Sequence, residues 1–125
     1  MKNSISHLHA VCQDWTRELK FYKSETPIFK KRLEEIVQKN TSHEILAQVE
    51  HFENKFAIMN LHFDELIHDL RLMDEALLKE ATQKPNFISL KIIDDDTNLQ
   101  ELMDFTASDF GGTKKEFYQF LAKYL

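Results

Sequence analysis

Residues 45–77 read ILAQVEHFENKFAIMNLHFDELIHDLRLMDEAL, and this stretch decides the fold. Its apolar residues Ile45, Val49, Phe52, Phe56, Met59, Phe63, Leu66, Leu70, Met73 and Leu77 are separated alternately by four and three positions. A mean step of about 3.5 residues is the signature of a long helix buried along one narrow seam against partner helices. Thr41 and Glu44 fit a capping box ahead of it, and Pro85 cannot continue a helix beyond it. The predicted helix therefore covers about 42–83. At ~1.5 Å per residue it is roughly 60 Å long, which makes the molecule a rod.

Working outward, the same spacing runs through Ile5, Leu8, Cys12, Trp15, Leu19, Tyr22, Thr26, Phe29, Leu33 and Ile36. Ser4 or Ser6 can cap this helix with a hydroxyl. Pro27 interrupts the run, and Ser-Glu-Thr-Pro also fits a stop followed by a restart. The seam keeps phase across the proline, which favours one helix over 5–40, kinked near Pro27. Downstream, Leu99, Met103, Thr106, Phe110, Thr113, Phe117, Phe120 and Tyr124 form a third seam. Asp94, Asp95 and Asp96 suit the first turn of that helix, expected over 96–123. Gly111 and Gly112 weaken its middle, each by about 1 kcal/mol relative to Ala.

Between the second and third helices, Ile88, Leu90 and Ile92 alternate with polar residues, so 85–94 reads as extended. It is expected to be a connection that plugs the bundle end, with a strand paired across a dimer as the alternative. Three long helices with short connections imply an all-α, antiparallel up-down-up three-helix bundle, elongated and coiled-coil-like, in one domain over 1–125. The helix lengths and the Trp on the first seam resemble a spectrin-type coil, a likeness of architecture that carries no function. Trp15 and Phe56, both mid-seam, are expected in the core, as are Ile67 and Leu72 beside the second seam.

Composition excludes several classes. The 125 residues include only two Gly and two Pro, against ten Phe, which disfavours a turn-rich β fold. Net charge is −5, so no global attraction to nucleic acid or anionic lipid is expected. The basic run Lys30, Lys31, Arg32 reads as a solvated helix face. No segment approaches the ~20 apolar residues of a membrane span. The first residues, Met1 to His7, hold no apolar run of signal-peptide length, and Cys12 is the single cysteine. A reducing, cytoplasmic setting is the expectation.

Chemistry finds little purchase. Glu65 and His68 make one Glu-x-x-His spacing, where a di-iron bundle needs two, and both point away from the seam. His9 and Asp14 share a hemerythrin-like spacing by themselves. His62, Glu65 and Asp69 share one helical stripe and are the weak metal candidates, with zinc the ion that suits them if another chain supplied a fourth ligand. No nucleophile elbow, phosphate loop or paired-cysteine site is present. Cys12 lies on the seam between Leu8 and Trp15 and reads as a packed thiol. No catalytic residue and no cofactor is expected. Phe21, Ile28, Ile58 and Leu61 are apolar residues that the seams do not use, and they are the interface candidates. The expected function is a non-enzymatic interaction or scaffolding module whose partner is a protein, first of all a second copy in a homodimer. The alternative is a metal-binding bundle that uses the surface His, Glu and Asp of the second helix.

Val49-Glu50-His51-Phe52-Glu53-Asn54-Lys55-Phe56 and Phe120-Leu121-Ala122-Lys123-Tyr124-Leu125 look familiar together. With Arg32-Leu33-Glu34-Glu35-Ile36 and Lys39-Asn40-Thr41, they resemble a family of small bacterial helical-bundle proteins with no assigned activity. The resemblance implies a helical fold and a bacterial cytoplasmic setting, and it transfers no functional residue. Pro27 and Gly111-Gly112 depart from that pattern.

Overall fold

A computed structural model describes residues 4–83 and 88–125. It contains three helices: α1 (Ile5–Lys39), α2 (His43–Gln83) and α3 (Leu90–Tyr124). Among the described residues there is no strand. Pairings across the helices fix their directions. His9 meets Asp74, Lys23 meets Asp64 and Thr26 meets Asn60, so numbers rise on α1 as they fall on α2. Phe52 meets Phe120 while Phe63 meets Phe110, so α2 and α3 are also antiparallel. Tyr22 packs on Phe110 and Phe29 on Phe117, which makes α1 and α3 parallel. The arrangement is the antiparallel up-down-up bundle expected from spacing.

All the α2 seam residues from Val49 to Leu77 are buried, with Ile45 packed at the margin. Their stripe meets those of both neighbours, and the middle of the rod is aromatic. Phe117 sits 4.9 Å from Phe29 and 5.3 Å from Phe56, the latter edge-on at 89°. Phe63 and Phe110 repeat the edge-on contact at 5.4 Å. Such geometry places positive ring edges on negative ring faces and adds to burial by about 0.5–1.5 kcal/mol per pair.

α1 runs unbroken through Pro27, and a local substitution of donors explains how. Proline lacks the N–H that would bind the Lys23 carbonyl one turn back. The Thr26 hydroxyl donates to that carbonyl at 3.1 Å, and Asn60 Nδ2 on α2 donates to Thr26 Oγ1 at 2.9 Å. Thr26 is buried on the seam, so this polar relay stands in for the lost helical bond where water could not. Gly111 and Gly112 are likewise inside one continuous α3, neither with positive φ, and a Cβ at either would meet nothing within 4 Å. No close approach requires these two glycines.

Helix starts carry the main corrections. Of the two serines expected, Ser4 caps α1, its Oγ accepting from the His7 N–H at 3.0 Å. α2 begins at His43, so Ser42 and not Thr41 holds the cap position, and its carbonyl accepts from Leu46 at 3.0 Å. α3 starts at Leu90, six residues before the predicted 96. Ser89 caps it, Oγ accepting from the Ile92 N–H at 3.3 Å. Ile92 then continues the third seam seven residues ahead of Leu99, and both are buried. The alternation of Ile88, Leu90 and Ile92 that read as extended is therefore a helix start, and Asp94–Asp96 fall beyond the first turn. Pro85 and the rest of 84–87, which the extended reading also used, lie outside the described residues.

Three side chains differ in burial from expectation. Trp15 is only partly buried, because the indole lies at the edge of the α1 seam. Ile67 packs partly against the core, whereas Leu72 is 48% exposed on the opposite flank of the α2 seam.

Two stability measurements follow from this packing. Phe56→Ala removes a 4%-exposed ring and should cost about 3–5 kcal/mol in chemical denaturation. Trp15→Ala should cost clearly less. A Phe56→Ala loss under about 1 kcal/mol would mean the register drawn here is wrong. Gly111→Ala and Gly112→Ala should each raise stability by about 0.5–1 kcal/mol, since Ala fits the space and loses less entropy on folding. Destabilisation by either would reveal a contact at that face.

Candidate interaction surface

The four interface candidates are all exposed, between 54% for Ile28 and 65% for Leu61. They do not form one patch. Phe21 and Ile28 stand seven apart on α1, opposite the residues that meet α2 (Lys23, Thr26) and on the same stripe as Glu25, which meets α3, so they flank the α1/α3 side of the bundle. Ile58 shares the flank of α2 that carries Lys55 and His62, and Lys55 pairs with Asp109 of α3 at 3.7 Å. Leu61 lies one step further round, toward solvent.

On the α2/α3 side the structure adds residues that spacing alone missed. Leu102 and Phe105 of α3 are 47% and 67% exposed and border the seam between the two helices. Leu72 faces Leu102 across the same groove. The groove runs from His62, Glu65 and Asp109 at one end, past Asp69, to Lys91 and Asp95 at the other. The signal for it was present as a second four-three stripe on α2: Ile58, His62, Glu65, Asp69, Leu72. Its mixed polar and apolar character hides it from a search for seams.

The metal candidates fall within this groove and do not gather into a site. His62 Nδ1 and Glu65 Oε2 are 3.7 Å apart, a loose i, i+3 pair with both side chains exposed. Among the described residues no group of three or more His, Cys, Asp or Glu is arranged to hold a metal ion. His9 and Asp14 do not pair, since His9 contacts Asp74 and Asp14 holds Arg17. His68 Nδ1 contacts Arg71 at 3.0 Å.

Polar groups inside the bundle serve packing. The Cys12 thiol is buried, and desolvation, aided by the charges of Asp74 and Asp96, pushes its pKa up to about 12. At neutral pH it is a protonated, inert sulfhydryl. Tyr22 donates to Glu18, and burial raises its phenol well above the usual range. Lys114 spans from α3 to the Glu25 carboxylate at 3.0 and 3.1 Å and tethers the parallel pair. Asp96 stands apart. Its Oδ1 is buried and has no hydrogen-bond partner among the described residues, and desolvation raises its pKa, with the nearby His7 imidazole opposing the shift.

No protein-family model, no curated protein and no solved structure matches this chain. No helix of the described residues is long and apolar enough to cross a membrane.

Asp96 gives a pH test of the structure. A carboxyl whose pKa is raised on folding favours the folded state while protonated. Stability is therefore lost as pH rises from the ordinary value of 3.8 through the raised one. Asp96→Asn removes that loss, so the variant should be more stable than wild type at pH 7, with the gain shrinking toward pH 4. Urea denaturation across this range checks it. Parallel curves would show that the Asp96 carboxyl titrates normally in the fold.

Proposed function

We propose that this protein is a non-enzymatic helical interaction module, a rod whose outer faces dock other protein surfaces. The observation that carries the reading is the large apolar side chains left exposed on two separate faces. Phe21 and Ile28 mark one, and Ile58, Leu72, Leu102 and Phe105 the other. Single exposed apolar residues are ordinary, but sets at helical spacing along one face are what partner helices bury. Two of the buried polar groups have a structural reading, Thr26 under Pro27 and the protonated, packed thiol of Cys12. The resemblance to small bacterial helical-bundle proteins is compatible with this reading and adds no activity to it. Cytoplasmic placement stays part of the proposal and rests on the single cysteine.

The first partner to test is a second copy, meeting through the Phe21/Ile28 face of α1 about a twofold axis. Phe21 and Ile28 would then each face the same stripe of the other subunit. A specific contact has to bury about 800 Å² per partner, which a helix of 35 residues can supply along its length. The metal-binding alternative on His62, Glu65 and Asp69 has less behind it, because those side chains do not converge.

Light scattering coupled to size exclusion at micromolar concentration should give twice the 14.8 kDa chain mass. Phe21→Ser with Ile28→Ser should return it to the monomer without loss of helicity. A wild-type monomer, or a dimer indifferent to both substitutions, would remove the second copy from this face.

A further inference from the structure

From the α2/α3 groove we infer a docking site for a basic amphipathic helix of a partner protein, an inference that rests on the interaction-module reading and names its partner. On α2 the groove's rim is His62, Glu65, Asp69 and Leu72, acidic in the middle and apolar at the Leu72 end, and the same helical stripe continues beyond the groove to the exposed Ile58. On α3 the rim is Leu102 and Phe105, with Asp109 and Asp95 beyond them on either side. From Ile58 to Leu72 the helix advances roughly 21 Å, four turns, enough to seat one helix with anchors at i, i+3 or i+4, and i+7.

Charge decides which helix. The lysines beside the groove are already engaged, Lys55 with Asp109 at 3.7 Å and Lys91 with Asp95 at 3.2 Å. Among the described residues Glu65 pairs only with His62, at 3.7 Å, and Asp69 makes no ion pair. The imbalance extends to the whole helix, since α2 carries nine Asp and Glu against three Lys and Arg. Any surface that covers Leu102 and Phe105 also strips water from Glu65 and Asp69, and a desolvated carboxylate needs a cation. A second copy turned about a twofold axis on this groove would bring the same acids against them. An apolar helix would leave them unpaired. A helix with Leu or Phe along one stripe and Lys or Arg on both its shoulders satisfies both requirements. The same acids would draw it in from solution, so binding should weaken with salt.

The test uses two labelled peptides of about 18 residues, each with the same Leu/Phe stripe. One has Lys and Arg on the shoulders and the other has Glu. Fluorescence anisotropy with the full chain should show the basic peptide binding at least about tenfold more tightly than the acidic one. Leu102→Ser with Phe105→Ser, both at exposed positions and checked for intact helicity, should abolish that binding. Glu65→Lys with Asp69→Lys should transfer the preference to the acidic peptide, which a nonspecific attraction to an acidic protein would not do. Phe21→Ser with Ile28→Ser should leave it unchanged. Equal binding of the two peptides, no binding of either, or binding indifferent to the groove substitutions overturns the inference. A dimer that persists in any of those cases leaves the interaction-module reading standing, and a monomer that binds neither peptide removes both.

Discussion

Everything in this structure depends on one long helix keeping a single buried stripe in phase with two neighbours at once. α2 has 41 residues, and a straight α-helix of 3.6 residues per turn would drift about 20° per heptad from a stripe repeating every seven. Over that length the accumulated drift would carry the seam out of the core. The strict four-three spacing from Ile45 to Leu77 removes the drift through a slight supercoil, and α1 and α3 follow the same repeat. The ring stack of Phe29, Phe56 and Phe117 can exist only because three helices from distant parts of the chain arrive in register.

That requirement also explains what the interruptions are allowed to do. Pro27 would normally release a carbonyl and disturb phase, yet the seam needs Phe29, Leu33 and Ile36 where they are. Thr26 lies beside the freed carbonyl and is reached by Asn60 from α2, so the defect is repaired by the neighbour that the seam itself supplies. Gly111 and Gly112 cost intrinsic helicity, but Phe110 and Thr113 on either side are buried and hold the backbone helical. Tertiary packing overrides local preference in both places.

The fold was legible because long-range order and local pattern agree here. Period and seam membership placed α2 and the body of α1 nearly to the residue. The start of α3 was not legible. Ile88, Leu90 and Ile92 obey a strand's alternation, while Ile92 alone also stands seven residues before Leu99 on a helical seam, and only its packing in the core chooses between the two. Part of the exposed apolar surface was visible as residues the seams leave over, Phe21, Ile28, Ile58 and Leu61. Leu102 and Phe105 were missed because they flank a weak seam whose own breadth is unknown until the partner helix is in place. Leu72 was assigned to the core for the same reason. Which flank of a helix is covered depends on where its neighbours sit around it, information that a one-dimensional period does not hold.

The order of the three helices has a kinetic consequence. α1 and α2 follow each other through a three-residue link and contact each other more extensively than either contacts α3. Their hairpin can form from neighbouring segments with little loop-closure entropy, whereas α3 must dock across an edge the hairpin has already made. Near its C-terminus the docked helix is held by few polar ties to α1, one being Asn40 Nδ2, which donates to the Tyr124 carbonyl at 3.4 Å. The weakest cooperative unit is then the whole of α3, and transient opening should expose its amides together while those of α1 and α2 stay protected. Such an opening would bare the aromatic faces of Phe29, Phe56 and Phe63 in the middle of the rod. The native state of this bundle therefore guards its solubility chiefly through the residence time of one helix.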